Sequence, residues 1–109
     1  VAYVVPNMMD DMHDGTVQQA DAWLKQNLDG YVQWASKNHS LLILTWDEDD
    51  GTQNNQIATI VIGQGVKPGR YDQKIDHYSV LRTLTDMYKA KPIGHTAQAK
   101  PISGIWTKN

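Results

Sequence analysis

Leu41-Leu42-Ile43-Leu44-Thr45-Trp46 runs without a break into Asp47-Glu48-Asp49-Asp50-Gly51. A continuous apolar run of this length, bounded by turn signals, has the pattern of a strand buried on both faces of a sheet. In open α/β sheets, ligand sites lie just outside the carboxyl ends of such strands. Successive carboxylates repel one another, and solvent or a cation is what holds them together. Calcium and magnesium, as hard cations, take oxygen ligands of this kind. An acidic loop is equally the composition of a plain solvated turn. Asp47 and Glu48, nearest the strand end, are the better-placed metal ligands. Asp49 and Asp50 are expected to face water and lead into Gly51-Thr52-Gln53-Asn54-Asn55. An EF-hand loop is rejected, because no Glu stands at its closing position.

With 109 residues and a formal net charge of −2, there is room for one small domain or part of a larger one. No basic footprint for nucleic acid is present, and no apolar stretch approaches a membrane span. The absence of cysteine excludes disulfides and thiolate metal sites, and it is compatible with a secreted or periplasmic protein. The chain opens on Val1-Ala2-Tyr3-Val4-Val5, which reads as a strand already in progress.

Ala2 to Val5 is therefore the first expected strand, ended by Pro6-Asn7. A polar loop follows through Asp10, Asp11, His13, Asp14 and Gly15. Thr16 is placed as a helix N-cap, and Gln19 three residues on completes a capping box. Val17, Ala20, Leu24 and Leu28 fall at helical spacing behind it, with Trp23 at the edge of the stripe. Asp29-Gly30 ends or interrupts that helix, and Tyr31, Trp34 and Ala35 continue an apolar face to about Lys37. A further strand is Ile57 to Gly63, rich in β-branched residues. Lys67-Pro68-Gly69-Arg70 is a turn, and Asp76 caps a last helix with the stripe Val80, Leu81, Leu84, Met87 and Tyr88. Past Lys91-Pro92 the chain is irregular to Trp106.

Strands and helices in this order predict an α/β fold with parallel pairing, in a single region spanning residues 1–109. In a parallel sheet the loops after the first two strands emerge at one edge. His77, at a helix start beside them, would complete a polar pocket suited to an anion such as phosphate. Taken singly, His13 is as well explained by a surface pair with Asp11 or Asp14, and His77 by the helix cap. His39 and His95 read as structural or exposed, and the tryptophans as core and sheet cover.

Taken in order, Pro6-Asn7, Asp11-Met12-His13-Asp14-Gly15 and Asp21-Ala22-Trp23-Leu24 resemble the phosphoesterase family of acid phosphatases and phospholipase C, within the alkaline-phosphatase superfamily. Thr45-Trp46-Asp47-Glu48-Asp49-Asp50-Gly51 resembles the metal-binding strand end of that family. Val66-Lys67-Pro68-Gly69, Asp76-His77-Tyr78-Ser79-Val80-Leu81-Arg82-Thr83-Leu84 and Pro101-Ile102-Ser103-Gly104-Ile105-Trp106 are similar to its later signatures.

The resemblance implies an alkaline-phosphatase-like sheet flanked by helices and the hydrolysis of phosphoric monoesters on a small-molecule phosphate ester. It implies a divalent metal held by Asp47 and Glu48, and oxygen ligands of this kind favour calcium or magnesium. His13 and Asp14 would be catalytic, with His13 and His77 binding substrate. Arg70 and Arg82 receive no role, and Arg82 is expected on the exposed side of its helix. The family supplies its Ser or Thr nucleophile from a segment that nothing here matches, so the resemblance implies the carboxyl-terminal portion of such an enzyme. A phospholipase C-type phosphodiesterase and a non-catalytic calcium- or anion-binding module are the competing readings. A secreted or periplasmic location follows from the resemblance alone.

Overall fold

The computed structural model describes residues 1–108. Its elements are α1 (Val17–Ala35), β1 (Leu41–Thr45), β2 (Thr59–Gly63), α2 (His77–Met87) and a 3-10 turn at Gly94–Ala97. Helices and a small sheet make this an α/β structure.

The sheet departs from expectation in two ways. Ala2 to Val5 forms no strand, and β1 and β2 pair as a two-stranded sheet. They run antiparallel. Thr45 Oγ1, at the end of β1, lies 3.0 Å from Thr59 Oγ1 at the start of β2. Gly63, at the end of β2, lies against Ser40 and Leu41 at the start of β1. Parallel strands need a long crossover, usually a helix, and the segment between β1 and β2 contains none. β1 is half-buried along its length rather than covered on both faces. Gly63 is required here by close approach, since an added Cβ would stand 2.2 Å from the Ser40 carbonyl oxygen.

Two compact units can be distinguished: Val1–Leu42 with Ile62–Gln64, and Ile43–Val61 with the chain from Gly65 onward. In the first, Thr16 caps α1 by accepting from the Gln19 N–H at 3.1 Å. The expected capping box is only half formed, because the Gln19 side chain donates instead to Asp10 Oδ1 at 3.3 Å. The helix runs unbroken through Asp29-Gly30 to Ala35. Its buried residues are small, Ala20 and Ala35, while Tyr31 and Trp34 are exposed with their rings 5.7 Å apart. Trp34 is therefore surface rather than core. Tyr31 donates its hydroxyl to the Leu41 carbonyl at 3.0 Å, and Gln64 accepts from the His39 N–H at 2.8 Å.

In the second unit the core is Ile102 and Ile105, and the polar residues Ser79, Thr83 and Thr96 are buried as well. Asp76 and Ser79 form a full capping box at the start of α2: Asp76 Oδ1 accepts from the Ser79 N–H, and Ser79 Oγ accepts from the Asp76 N–H. The expected apolar stripe is only partly covered: Val80 and Leu84 are half-buried. Leu81, Met87 and Tyr88 are exposed, and Ser79 and Thr83 turn inward. The buried Thr83 hydroxyl is satisfied there: it donates to the Ser79 carbonyl at 2.7 Å and accepts from the Ile102 N–H at 2.8 Å. The tail is fastened further by the Val66–Trp106 bridge and by Gln73, which donates to the Pro101 carbonyl and accepts from Ser103.

Arg82 is half-buried rather than facing solvent. It pairs with Asp86 at 2.8 Å, and its Nη1 donates to the carbonyls of Ala97 at 3.0 Å and Ala99 at 3.2 Å. A cation is thus set against carbonyls at and just beyond the 3-10 turn, groups that a helix end leaves without partners.

Candidate functional site

The loop carrying His13 is wound about Asn7. The Asn7 carbonyl accepts from the N–H groups of Asp10 and Asp11, and its side-chain oxygen accepts from those of Met9 and Asp10. Asp14 donates its N–H to the Met8 carbonyl at 2.8 Å, and the His13 N–H is taken by Asp11 Oδ1 at 2.9 Å. Met12 adopts φ 77°, a left-handed conformation unfavourable for a side chain of this kind. Gly15 is the other steric requirement: a Cβ there would stand 1.8 Å from the Met9 carbonyl oxygen.

This winding presents His13 and Asp14 together on the surface, with Nδ1 of the imidazole 2.9 Å from Asp14 Oδ1. An ionised carboxylate only accepts, so Nδ1 carries the proton of this bond. A carboxylate so placed orients the ring and fixes its tautomer. Such a pair can deliver a proton to a leaving oxygen or hold an anionic one.

In the second unit, Asp47 and Glu48 follow β1 and are both exposed. His77, the first residue of α2, reaches back to them through its Nε2, which lies 2.7 Å from the Asp47 carbonyl oxygen. Of the residues expected at a site, the structure thus joins His13 to Asp14 and His77 to Asp47. Asp47 and Glu48 have the oxygen chemistry a hard cation takes. Among the described residues, however, no three His, Cys, Asp or Glu side chains come together as a metal-holding group. The pair fits such an ion only as part of a ligand set.

Asp49 and Asp50 do not add to it. Both Asp49 oxygens are used within the loop, Oδ1 by the Gly51 N–H and Oδ2 by the N–H groups of Gln53 and Asn55. Donation from Gly51 above all, and from Gln53 and Asn55, holds the Asp49 carboxyl below its ordinary range. Asp50 Oδ1 accepts from both the N–H and the hydroxyl of Thr52. The signal for this was in the sequence, since Asp followed by Gly, Thr and Asn favours side-chain-to-backbone turns.

A cleft of about 410 Å³ lies elsewhere in the second unit, between β2, the 66–75 segment and the tail, with Ile60, Val66, Ile102 and Ile105 in its walls. None of the five expected site residues lines it.

Comparison with known proteins decides the family. The model of the phosphoesterase family matches residues 1–91. The chain belongs to the phosphoesterase family. Within it, the chain is 49% identical over 106 residues to a phosphatidylinositol-3-phosphatase of Mycobacterium tuberculosis, covering 97% of this chain and 36% of that protein. It is 33% identical over 89 residues to a probable acid phosphatase of Kluyveromyces lactis, covering 76% of this chain and 21% of that protein. It is 27% identical over 100 residues to an acid phosphatase of Aspergillus fumigatus, covering 85% of this chain and 22% of that protein. This phosphoesterase chain therefore spans about a third or less of the length of the curated relatives it matches. No solved structure matches it. Among the described residues, no helix is long and apolar enough to cross a membrane.

Proposed function

We propose that the protein of this chain hydrolyses phosphoric monoesters, as an acid phosphatase does. The observation that carries this reading is the likeness over nearly the whole chain to a relative named as a phosphatidylinositol-3-phosphatase, with two further relatives named as acid phosphatases. All three names denote removal of a phosphoryl group from a monoester, which favours this class over the phosphodiesterase alternative. The substrate is a small phosphate ester, the phosphate of an inositol lipid headgroup included. The location proposed is secreted or periplasmic.

The His13–Asp14 pair suits the leaving-group side of this reaction. With Nδ1–H held by Asp14, the protonated ring offers its Nε2–H to the departing ester oxygen, and that oxygen leaves as a neutral alcohol. The hydroxyl that attacks phosphorus is proposed to come from a part of the enzyme other than this chain. Asp47 and Glu48 would supply two oxygens to a divalent ion, calcium or magnesium. When bound, such an ion neutralises charge on the phosphoryl oxygens.

The test is hydrolysis of an aryl phosphate by the full-length enzyme, against the matching diester, with and without a chelator. Chelator-sensitive release from the monoester is expected. Preference for the diester would replace the monoesterase reading, and binding of calcium without turnover of either ester would favour a non-catalytic module.

A further inference from the structure

We propose that His77 is a positioning residue, whose Nε2–H holds the carbonyl of Asp47 and so sets the strand end that presents Asp47 and Glu48. This inference rests on the metal-assisted phosphatase reading above. The bond joins residues 30 apart in sequence at 2.7 Å. A backbone carbonyl can only accept, so Nε2 is the protonated ring nitrogen. That atom is committed to the chain and is not the one that meets a phosphoryl oxygen or a metal.

Both ends of the bond are themselves constrained. The ring is carried by the first residue of α2, where the Asp76–Ser79 capping box sets the direction in which the chain enters the helix. The carbonyl belongs to the second residue past β1, whose end is tied to β2 by the hydroxyl pair of Thr45 and Thr59. Past Asp47 the loop is organised by Asp49 accepting from Gly51, Gln53 and Asn55. Asp47 and Glu48 stand between these two anchored stretches. In the structure the imidazole holds the Asp47 carbonyl there. Groups that orient metal ligands from behind commonly matter about 10–100-fold to metal affinity or activity.

The test compares His77→Gln with His77→Ala in the full-length enzyme. The Gln amide nitrogen can occupy the position of Nε2 and donate, but it carries no charge, accepts no proton and has no second ring nitrogen. His77→Ala is expected to lower kcat and to shift the calcium or magnesium activation midpoint upward, each by about tenfold or more. KM should move little in either variant, and His77→Gln should restore both quantities to within about threefold of the wild type. His77→Gln as damaging as His77→Ala would overturn the proposal, because the ring itself would then be needed. So would loss of stability in His77→Ala with kcat and metal midpoint unchanged.

A readout independent of turnover keeps the inference separate from the phosphatase reading. Ring ¹⁵N spectra of the wild-type protein above neutral pH should show His77 as the Nε2–H tautomer. An Nδ1–H tautomer would sink the proposal even in an active enzyme. An Nε2–H tautomer in an enzyme without phosphatase activity would leave the bond standing and remove only the function built on it.

Discussion

Asp49 and Asn55 close their loop reciprocally: the Asp49 N–H donates to Asn55 Oδ1 at 3.0 Å, and the Asn55 N–H donates to Asp49 Oδ2 at 2.9 Å. Asn55 does this at φ 59°, a left-handed conformation that Asn tolerates better than most residues. The carboxylate that simple composition would offer to a cation is instead a backbone anchor.

That anchor predicts an acid sensitivity. The Asp49 carboxyl is lowered in the folded protein, by the Gly51 N–H above all, so its stabilisation is complete above the ordinary carboxylate range. It is lost as pH falls through the lowered folded value. Asp49→Asn should therefore unfold at a lower temperature than the wild type near neutral pH, and the gap should close in strong acid. Thermal unfolding followed across pH measures this, and a gap that is constant with pH would count against it.

Thr83 predicts a stability loss of a different kind. Its hydroxyl donates to Ser79 and accepts from Ile102, in a buried position. Thr83→Val preserves shape but leaves the Ile102 N–H without its acceptor, at a cost of about 1–3 kcal/mol. Thr83→Ser should lose less. Denaturant unfolding of the two variants compares them directly.

Arg82 should resist replacement by Lys. Its guanidinium spans Asp86 and the carbonyls of Ala97 and Ala99, a fan of acceptors that one ammonium group on a flexible stem cannot match. Arg82→Lys is expected to cost about 1–2 kcal/mol by unfolding and to raise amide exchange around residues 94–99.

Gly15 and His13 form a linked prediction for activity in the full-length enzyme. Gly15→Ala forces Met9 to move, since the new Cβ cannot share space with its carbonyl oxygen. The loop that presents His13 should be disturbed, and kcat should fall. His13→Ala should lower kcat by about 10²–10⁴-fold, the usual scale for a proton donor, with a smaller change in KM. Unchanged turnover in His13→Ala would remove it from the mechanism.

Local chemistry was legible wherever the determining atoms are close in sequence. Thr16 and Asp76 were placed as caps because a hydroxyl or carboxylate reaches an N–H three residues on, whatever the rest of the fold does. The strands at Leu41 and Thr59 follow from β-branched and apolar runs. The pairing of His13 with Asp14 needed only neighbours.

Tertiary structure decided what depends on distant partners. Strand direction was settled by a connection without a helix, and Ala2 to Val5 formed no strand although its composition favoured one. On α2 the most buried side chains are Ser79 and Thr83, whose hydroxyl meets the Ile102 N–H, while of the apolar stripe that periodicity had marked only Val80 and Leu84 are half-buried. Arg82 and His77 show the same physics. Each side chain is unremarkable in its own helix, and each takes its role from a carbonyl far along the chain that only folding brings within hydrogen-bond reach.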